Sequence, residues 1–154
     1  MRPKVGDKAP NFKARIQTGQ EIQLEDYLGK KVLLYFYPKD QTPGCTKQAC
    51  HLRDHYEKLK EKNYVVLGVS KDSESSHQRF IEKESLPFDL IADTDKSLHE
   101  SYGTWVEKKN YGKAYMGTDR VSFVIDEKGY IEKRIDRVKT SEHLSQIFSE
   151  EDLS

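Results

Sequence analysis

Two cysteines, Cys45 and Cys50, stand five positions apart, directly behind a stretch dense in turn formers, Pro38-Lys39-Asp40-Gln41-Thr42-Pro43-Gly44. Ahead of that loop, Val32 to Tyr37 (VLLYFY) is continuously apolar, as befits a strand buried on both faces. Behind it, Ala49, Leu52, Tyr56 and Leu59 recur at spacings of three and four, which predicts a helix from Cys45 to Lys62. A cysteine opening a helix meets unpaired backbone N–H groups and the positive end of the helix dipole, and both favour thiolate, the reactive form of sulfur. That position also lies outside the carboxyl end of a strand, where open α/β sheets hold their ligands. Many free cysteines are only small buried hydrophobes, but core packing does not account for a rigid Pro/Gly loop leading into one. Cys50 lies on another side of the same helix, roughly 140° around and ~8.6 Å away between Cα atoms. A disulfide needs about 4.4–6.8 Å. The pair therefore cannot bridge unless the first turns of the helix unwind.

The elements that must position these residues follow from pattern. Phe12 to Ile16 and Glu21 to Leu24 alternate around Gln17-Thr18-Gly19-Gln20, predicting an N-terminal hairpin. Tyr64 to Val69 is a second apolar strand, so residues 32–69 read strand, loop, helix, strand, a right-handed crossover with parallel pairing. Ser73 to Leu86 predicts a helix with Phe80 and Ile81 inward, and Phe88 to Ala92 a short strand. Lys96 to Tyr102 predicts a short helix capped by Asp95 and ended by Gly103. Trp105 to Gly117, polar and rich in Tyr and Gly, is expected to be irregular. Val121 to Ile125 and Tyr130 to Val138 flank the hairpin turn Asp126-Glu127-Lys128-Gly129, and Thr140 is expected to cap a last helix carrying Leu144, Ile147 and Phe148. Parallel strands followed by an antiparallel hairpin make a mixed sheet with helices on both faces, an α/β three-layer domain.

The chain has 154 residues, enough for one domain spanning 1–154. Lys+Arg and Asp+Glu number 26 each, so no net field gathers nucleic acid or an anionic membrane. The longest apolar run is far short of the ~20 residues a membrane span needs, and the N-terminus lacks the apolar core of a secretory signal. Two cysteines build no disulfide framework, so a reducing cytoplasm is the expected address.

The order Pro38, Thr42, Cys45 reads P-x-x-x-T-x-x-C, within the longer string FYPKDQTPGCTKQAC. In these residues the chain resembles the peroxiredoxins, and among them the subfamily called peroxiredoxin Q or bacterioferritin comigratory protein. The likeness continues through Val69-Ser70-Lys71-Asp72, Ser76-His77, Tyr102-Gly103, Arg120-Val121-Ser122-Phe123-Val124-Ile125-Asp126 and Gly129. The resemblance implies a thioredoxin-like fold with an N-terminal hairpin and a thiol peroxidase acting on hydrogen peroxide and organic hydroperoxides without metal, haem or flavin. It makes Cys45 the peroxidatic nucleophile, which becomes a sulfenic acid, and Cys50 the resolving thiol that condenses with it into an intramolecular disulfide. Thr42 would hydrogen-bond thiolate and peroxide, Pro38 would shield the pocket from water, and Arg120 would bring a permanent cation to the sulfur. Backbone N–H groups near Gly44 and Cys45 would complete the donors. The reductant would be thioredoxin or a glutaredoxin-type dithiol, and the protein a monomer. Gln48 stands where the subfamily usually has Glu, and Ser122 where Thr is commoner.

Two other readings stay open: a thioredoxin-fold binding module that has lost its chemistry, and a metal module built on Cys45, Cys50, His51 and His55. Four ligands within eleven consecutive residues of one helix cannot converge tetrahedrally, which weighs against the metal. His77 and His99 are expected to be solvated on surface helices, Trp105 to pack beside the site, and the runs Glu107-Lys108-Lys109 and Glu82-Lys83-Glu84 to be ordinary exposed faces.

Overall fold

The computed structural model describes residues 2–148. Nine strands and five helices follow one another along them. β1 (Lys13–Arg15) and β2 (Glu21–Gln23) form the expected small hairpin, followed by a 3-10 turn at Leu24–Tyr27. β3 (Lys31–Phe36), β4 (Tyr64–Ser70), β5 (Asp89–Ala92), β8 (Ser122–Ile125) and β9 (Ile131–Ile135) make one sheet in the order β5-β4-β3-β8-β9. β3, β4 and β5 run parallel to one another, while β3–β8 and β8–β9 are antiparallel. The sheet is mixed, as the sequence predicts.

Side chains of β3 alternate between two cores. Val32, Leu34 and Phe36 face one side with Leu67, Val69, Ile91 and Phe123, beneath the N-terminal segment (Ala9, Phe12, Ile16, Ile22, Leu24) and Leu98 and Tyr102. Leu33, Tyr35 and Tyr37 face the other side with Val66, Leu90 and Val124, beneath Ala49, Leu52, Leu59, Phe80, Leu144 and Ile147. Period-two alternation under two covering layers is what a strand buried on both faces looks like. Gly68 on β4 lies under the Tyr35 ring, where a Cβ would come within 2.9 Å of the phenol oxygen and 2.7 Å of Leu90. No side chain fits there.

Helix α1 runs Pro43–Asp54 with Pro43 at its first turn, two residues earlier than the hydrophobic pattern suggests, because proline's fixed φ suits that position. Its buried residues are Cys45, Gln48, Ala49 and Leu52, an i, i+3, i+4, i+7 stripe against the sheet. The single helix expected to Lys62 is broken. His55, at φ −110° and ψ 14°, separates α1 from α2 (Tyr56–Glu61), and Leu59 holds α2 in the core. α3 (Glu74–Glu84) starts at Ser73, whose hydroxyl accepts the Ser76 N–H, and stops at Ser85 in the left-handed region, φ 53°. α4 (Ser97–Ser101) is shorter than expected, and Asp95 shares its capping with buried Asp93, which accepts the N–H groups of Leu98 and His99.

Two further expectations about secondary structure are overturned. The segment 105–117 is not irregular: β6 (Trp105–Asn110) and β7 (Lys113–Thr118) form an antiparallel hairpin outside the main sheet, turning at Tyr111 and Gly112. Its faces lack a clean apolar alternation because it is largely solvated, with Tyr111, Tyr115 and Met116 exposed. The last helix, α5 (His143–Ile147), begins after Glu142 and not at Thr140. No helix among the described residues is long and apolar enough to cross a membrane.

Candidate active site

The site lies where β3 ends. Tyr37 N–H still bonds to the Val69 carbonyl at 3.0 Å, and the chain then leaves the sheet through Pro38 and re-enters regular structure at Pro43. The first helical bond of α1 runs from Thr46 N–H to the Thr42 carbonyl, 2.8 Å. The N–H groups of Gly44 and Cys45 precede it, so they belong to the open donors of a helix N-terminus. Cys45 stands in this first turn and is only 2% exposed.

Arg120 meets it from the segment between β7 and β8. Arg120 Nη2 donates to Cys45 Sγ at 3.2 Å, and Nη1 donates to Gln48 Oε1 one turn along the helix. The backbone on either side of Arg120 is fixed: Asp119 N–H bonds the Thr104 carbonyl at 2.8 Å, and the Val121 carbonyl accepts Phe36 N–H at 2.9 Å. The guanidinium passes close over Gly44, where a Cβ would stand in ordinary contact, 3.4 Å from Nη2. A permanent cation with two parallel donors thus spans sulfur and amide. Gln48 is fully buried, and its Nε2 has no partner.

The other expected site residues are placed differently. Thr42, the residue before α1, donates its hydroxyl to the Lys39 carbonyl at 2.9 Å and makes no hydrogen bond to Cys45. Its oxygen lone pairs remain available to a donor. Pro38 is half-buried in the first turn of the loop. Cys50 is half-buried and unpaired with Cys45, and its thiol points to α3, where it donates to Glu84 Oε2 at 3.4 Å. Burial, then that hydrogen bond, push the Cys50 thiol up from its ordinary range against the opposing pull of Arg53. Glu84 therefore does not belong to an ordinary exposed face.

The loop is held by groups that pattern did not reveal. Asp40 is buried, and its carboxylate accepts Tyr37 OH at 2.6 Å, Ser76 Oγ at 2.8 Å and His77 Nδ1 at 2.7 Å. His77 Nε2 lies 2.9 Å from the Ile91 carbonyl. Both nitrogens of His77 thus have oxygen partners, and the ring is clamped between Asp40 and the Ile91 carbonyl. Asp40 N–H donates to Asp72 Oδ2 at 2.8 Å, which also accepts Ser70 Oγ at 2.7 Å. Burial, then Asp40, hold the Tyr37 phenol well above its ordinary range, so it stays a donor. His77 and His99 are thus not solvated: both are fully buried, His99 on Asp93 at 2.6 Å and Thr118 at 2.9 Å. Each sits on the inward face of its helix, against a buried carboxylate. Trp105 packs edge-on to His99, with the ammonium groups of Lys71 and Lys96 over its ring.

Behind α1, His143 Nε2 and Ser122 Oγ are 2.8 Å apart, and His51 Nε2 accepts Leu144 N–H at 3.0 Å. His51 is committed to that bond and His55 Nδ1 lies 2.8 Å from the His51 carbonyl, an arrangement that turns neither ring toward Cys45 or Cys50 as a ligand set. Among the described residues no group of three such side chains gathers to hold a metal ion.

A cysteine at a helix N-terminus, behind the first parallel strand of a thioredoxin-like sheet and under a guanidinium, defines the class of thiol peroxidases called peroxiredoxins. The chain belongs to the AhpC/TSA family, whose model matches residues 5–134. It is 49% identical over 144 residues to peroxiredoxin Bcp of Escherichia coli (strain K12), covering 93% of this chain and 92% of that protein. To a putative peroxiredoxin bcp of Coxiella burnetii it is 47% identical over 147 residues, covering 96% and 97%. Among solved structures, a cysteine mutant of PrxQ from Xylella fastidiosa superposes with a TM-score of 0.89 at 29% identity, over 96% of this chain and 94% of that one. Bacterioferritin comigratory protein of Xanthomonas campestris gives 0.87 at 28% identity, over 94% of each. Thiol peroxidase is this chain's activity, with a peroxide as substrate and a thiol as reductant.

Proposed function

We propose that Cys45 carries the peroxidase reaction and Cys50 resolves it, within one catalytic unit formed by the whole chain. The Cys45 thiolate attacks the distal oxygen of the peroxide, the O–O bond breaks, and the leaving alkoxide or hydroxide takes a proton. Cys45 is left as a sulfenic acid. The observation that carries this assignment is the guanidinium on the sulfur, Arg120 Nη2 to Cys45 Sγ at 3.2 Å, at the open end of α1. The same cation and the N–H groups of Gly44 and Cys45 stabilise charge as it passes from sulfur to the departing oxygen. Thr42, whose own proton is engaged by Lys39, accepts the peroxide proton and orients the substrate. Pro38 supplies no N–H at the rim and keeps water off the sulfur.

Cys50 then condenses with the sulfenic acid to a disulfide, releasing water, and a dithiol such as thioredoxin or a glutaredoxin-type protein returns both thiols. Alkyl hydroperoxides are substrates beside hydrogen peroxide, a choice supported by the alkyl peroxide reduction studied in the Xanthomonas campestris relative. Because both cysteines lie in one chain, a monomer suffices, and a reducing compartment such as the cytoplasm suits the cycle. The test is peroxide consumption coupled to thioredoxin and its reductase, with mass spectrometry after one equivalent of peroxide. Wild type loses two hydrogens and stays a single chain, and Cys45→Ser falls to the uncatalysed rate while its far-UV spectrum is unchanged. Substantial turnover by Cys45→Ser rules the assignment out, and dimers linked through Cys45 rule out Cys50 as the resolving thiol.

A further inference from the structure

Cys50 and Cys45 face different neighbours. Cys45 lies in the stripe that α1 presses on the sheet, whereas Cys50 lies on the flank that meets the end of α3. Its partner there, Glu84, is well anchored. Glu84 is the last residue of α3, the next residue turns left-handed at φ 53°, and the Glu84 carbonyl accepts Arg53 Nη1 at 2.7 Å. Its side chain is only 22% exposed, and Arg53 Nη1 stands 3.9 Å from Oε2. A carboxylate only accepts, so the 3.4 Å contact with Cys50 Sγ exists with the thiol and not with the thiolate. The charged groups facing Cys50 are Glu84 from α3 and Arg53 and Asp54 from α1 itself. Burial and the hydrogen bond to Glu84 weigh against ionisation, and Arg53 pulls the other way.

We propose that Glu84 holds Cys50 as a docked thiol against α3, and so acts as a positioning residue that delays the resolving step and lengthens the life of the Cys45 sulfenic acid. The inference rests on Cys50 being the resolving thiol. In that step the Cys50 S–H proton is lost to solvent, Cys50 Sγ bonds to Cys45 Sγ, and the Cys45 S–O bond breaks with the oxygen leaving as water. Cys50 is oxidised and the sulfenic sulfur reduced. The attack needs the thiolate, and it needs Cys50 away from α3; Glu84 opposes both. A slow second step leaves Cys45 exposed to a second peroxide, which carries it to sulfinic acid.

The test compares wild type with Glu84→Gln, which keeps the backbone carbonyl for Arg53 and replaces the charge by an amide able to donate to a thiolate. Disulfide formation after one equivalent of hydrogen peroxide is followed by rapid quenching, alkylation and mass spectrometry across the neutral and mildly alkaline range. The variant should resolve about threefold to tenfold faster at neutral pH, as the thiolate fraction rises with the fall of the thiol pKa. The midpoint of the pH profile should move to lower pH, Cys45 should be oxidised at the wild-type rate, and more peroxide should be needed to reach sulfinic acid. A step that is equally fast, or faster with an unmoved midpoint, overturns the proposal, the latter showing that α1 was merely loosened. If wild type forms no Cys45–Cys50 disulfide at all, the assignment of Cys50 fails first, and this one with it.

Discussion

Arg120 uses its two arms on two targets, Nη2 on the Cys45 sulfur and Nη1 on the Gln48 amide. Removing the guanidinium withdraws a charged donor from the place where negative charge moves during the reaction. Arg120→Met is expected to slow the peroxide step by about 100-fold or more, measured by stopped-flow with a single equivalent of peroxide. Arg120→Lys should recover only part of this, because a single ammonium nitrogen does not reproduce the planar fork whose two nitrogens reach sulfur and amide separately. An unchanged rate in the methionine variant would show that the contact is incidental. The cysteine, the loop in front of it and Arg120 are all legible in the sequence, since short-range spacing and family likeness carry them. Asp40, His77 and Glu84 are not. Their roles depend on partners far along the chain: Asp40 meets His77 across 37 positions and Cys50 meets Glu84 across 34. Nothing local marks a histidine that a distant carboxylate will hold, which is why His77 reads as a surface residue; His99 meets Asp93 only six positions away, but across the turn from β5 into α4, which helical periodicity does not register.

Each strand of the main sheet and the N-terminal hairpin follows from its own pattern, whereas short elements whose ends depend on tertiary contacts do not. The break at His55, the hairpin of β6 and β7 and the late start of α5 are of this kind. Two predictions belong to elements. The first concerns α1. Both cysteines lie inside its twelve residues, Pro43–Asp54, and in an intact helix their Cα atoms are ~8.6 Å apart, beyond disulfide reach. Oxidation should therefore unwind its beginning, so that hydrogen exchange of amides 46–52 rises in the disulfide form while β3 and β8 stay protected. A disulfide formed with those amides still slow would refute the geometry. The second concerns α5, which docks through His143 on Ser122 and through His51, whose bare Nε2 accepts Leu144 N–H. Burial lowers the His143 pKa to about 3, and burial, then His55, lower that of His51. The unfolded chain binds these protons more readily, so their contribution is present above about pH 6.5 and is lost as pH falls toward the folded values. Urea midpoints should drop on acidification through that window, with Leu144 among the early amides to exchange, and His143→Gln should flatten the dependence.

The whole molecule is a sheet between two cores, with Cys45 beyond one end of its central strand and packed in only one of the covering layers. Cys45, Ala49 and Leu52 belong to that layer's packing, so a disulfide that unwinds α1 removes contacts from a core shared with α2, α3 and α5. A loop this short gives little entropic return in the chain-entropy account. The disulfide form is expected to melt below the reduced form, by roughly 2–4 °C for each kcal/mol of packing lost, and calorimetry of the two forms under matched conditions would check it. An oxidised form that melts higher would mean that the helix re-forms around the bridge. The non-helical joint at His55 then bears on time. It ends α1 after twelve residues and leaves α2 seated through Leu59, so each oxidation rewrites one short segment. Peptide helices somewhat longer than this wind and unwind within about a microsecond, far faster than the milliseconds and longer in which most enzymes turn over. In the proposed cycle helix winding itself is therefore fast, and the time a turn spends on α1 goes into undocking and redocking it on the core it shares with α2, α3 and α5.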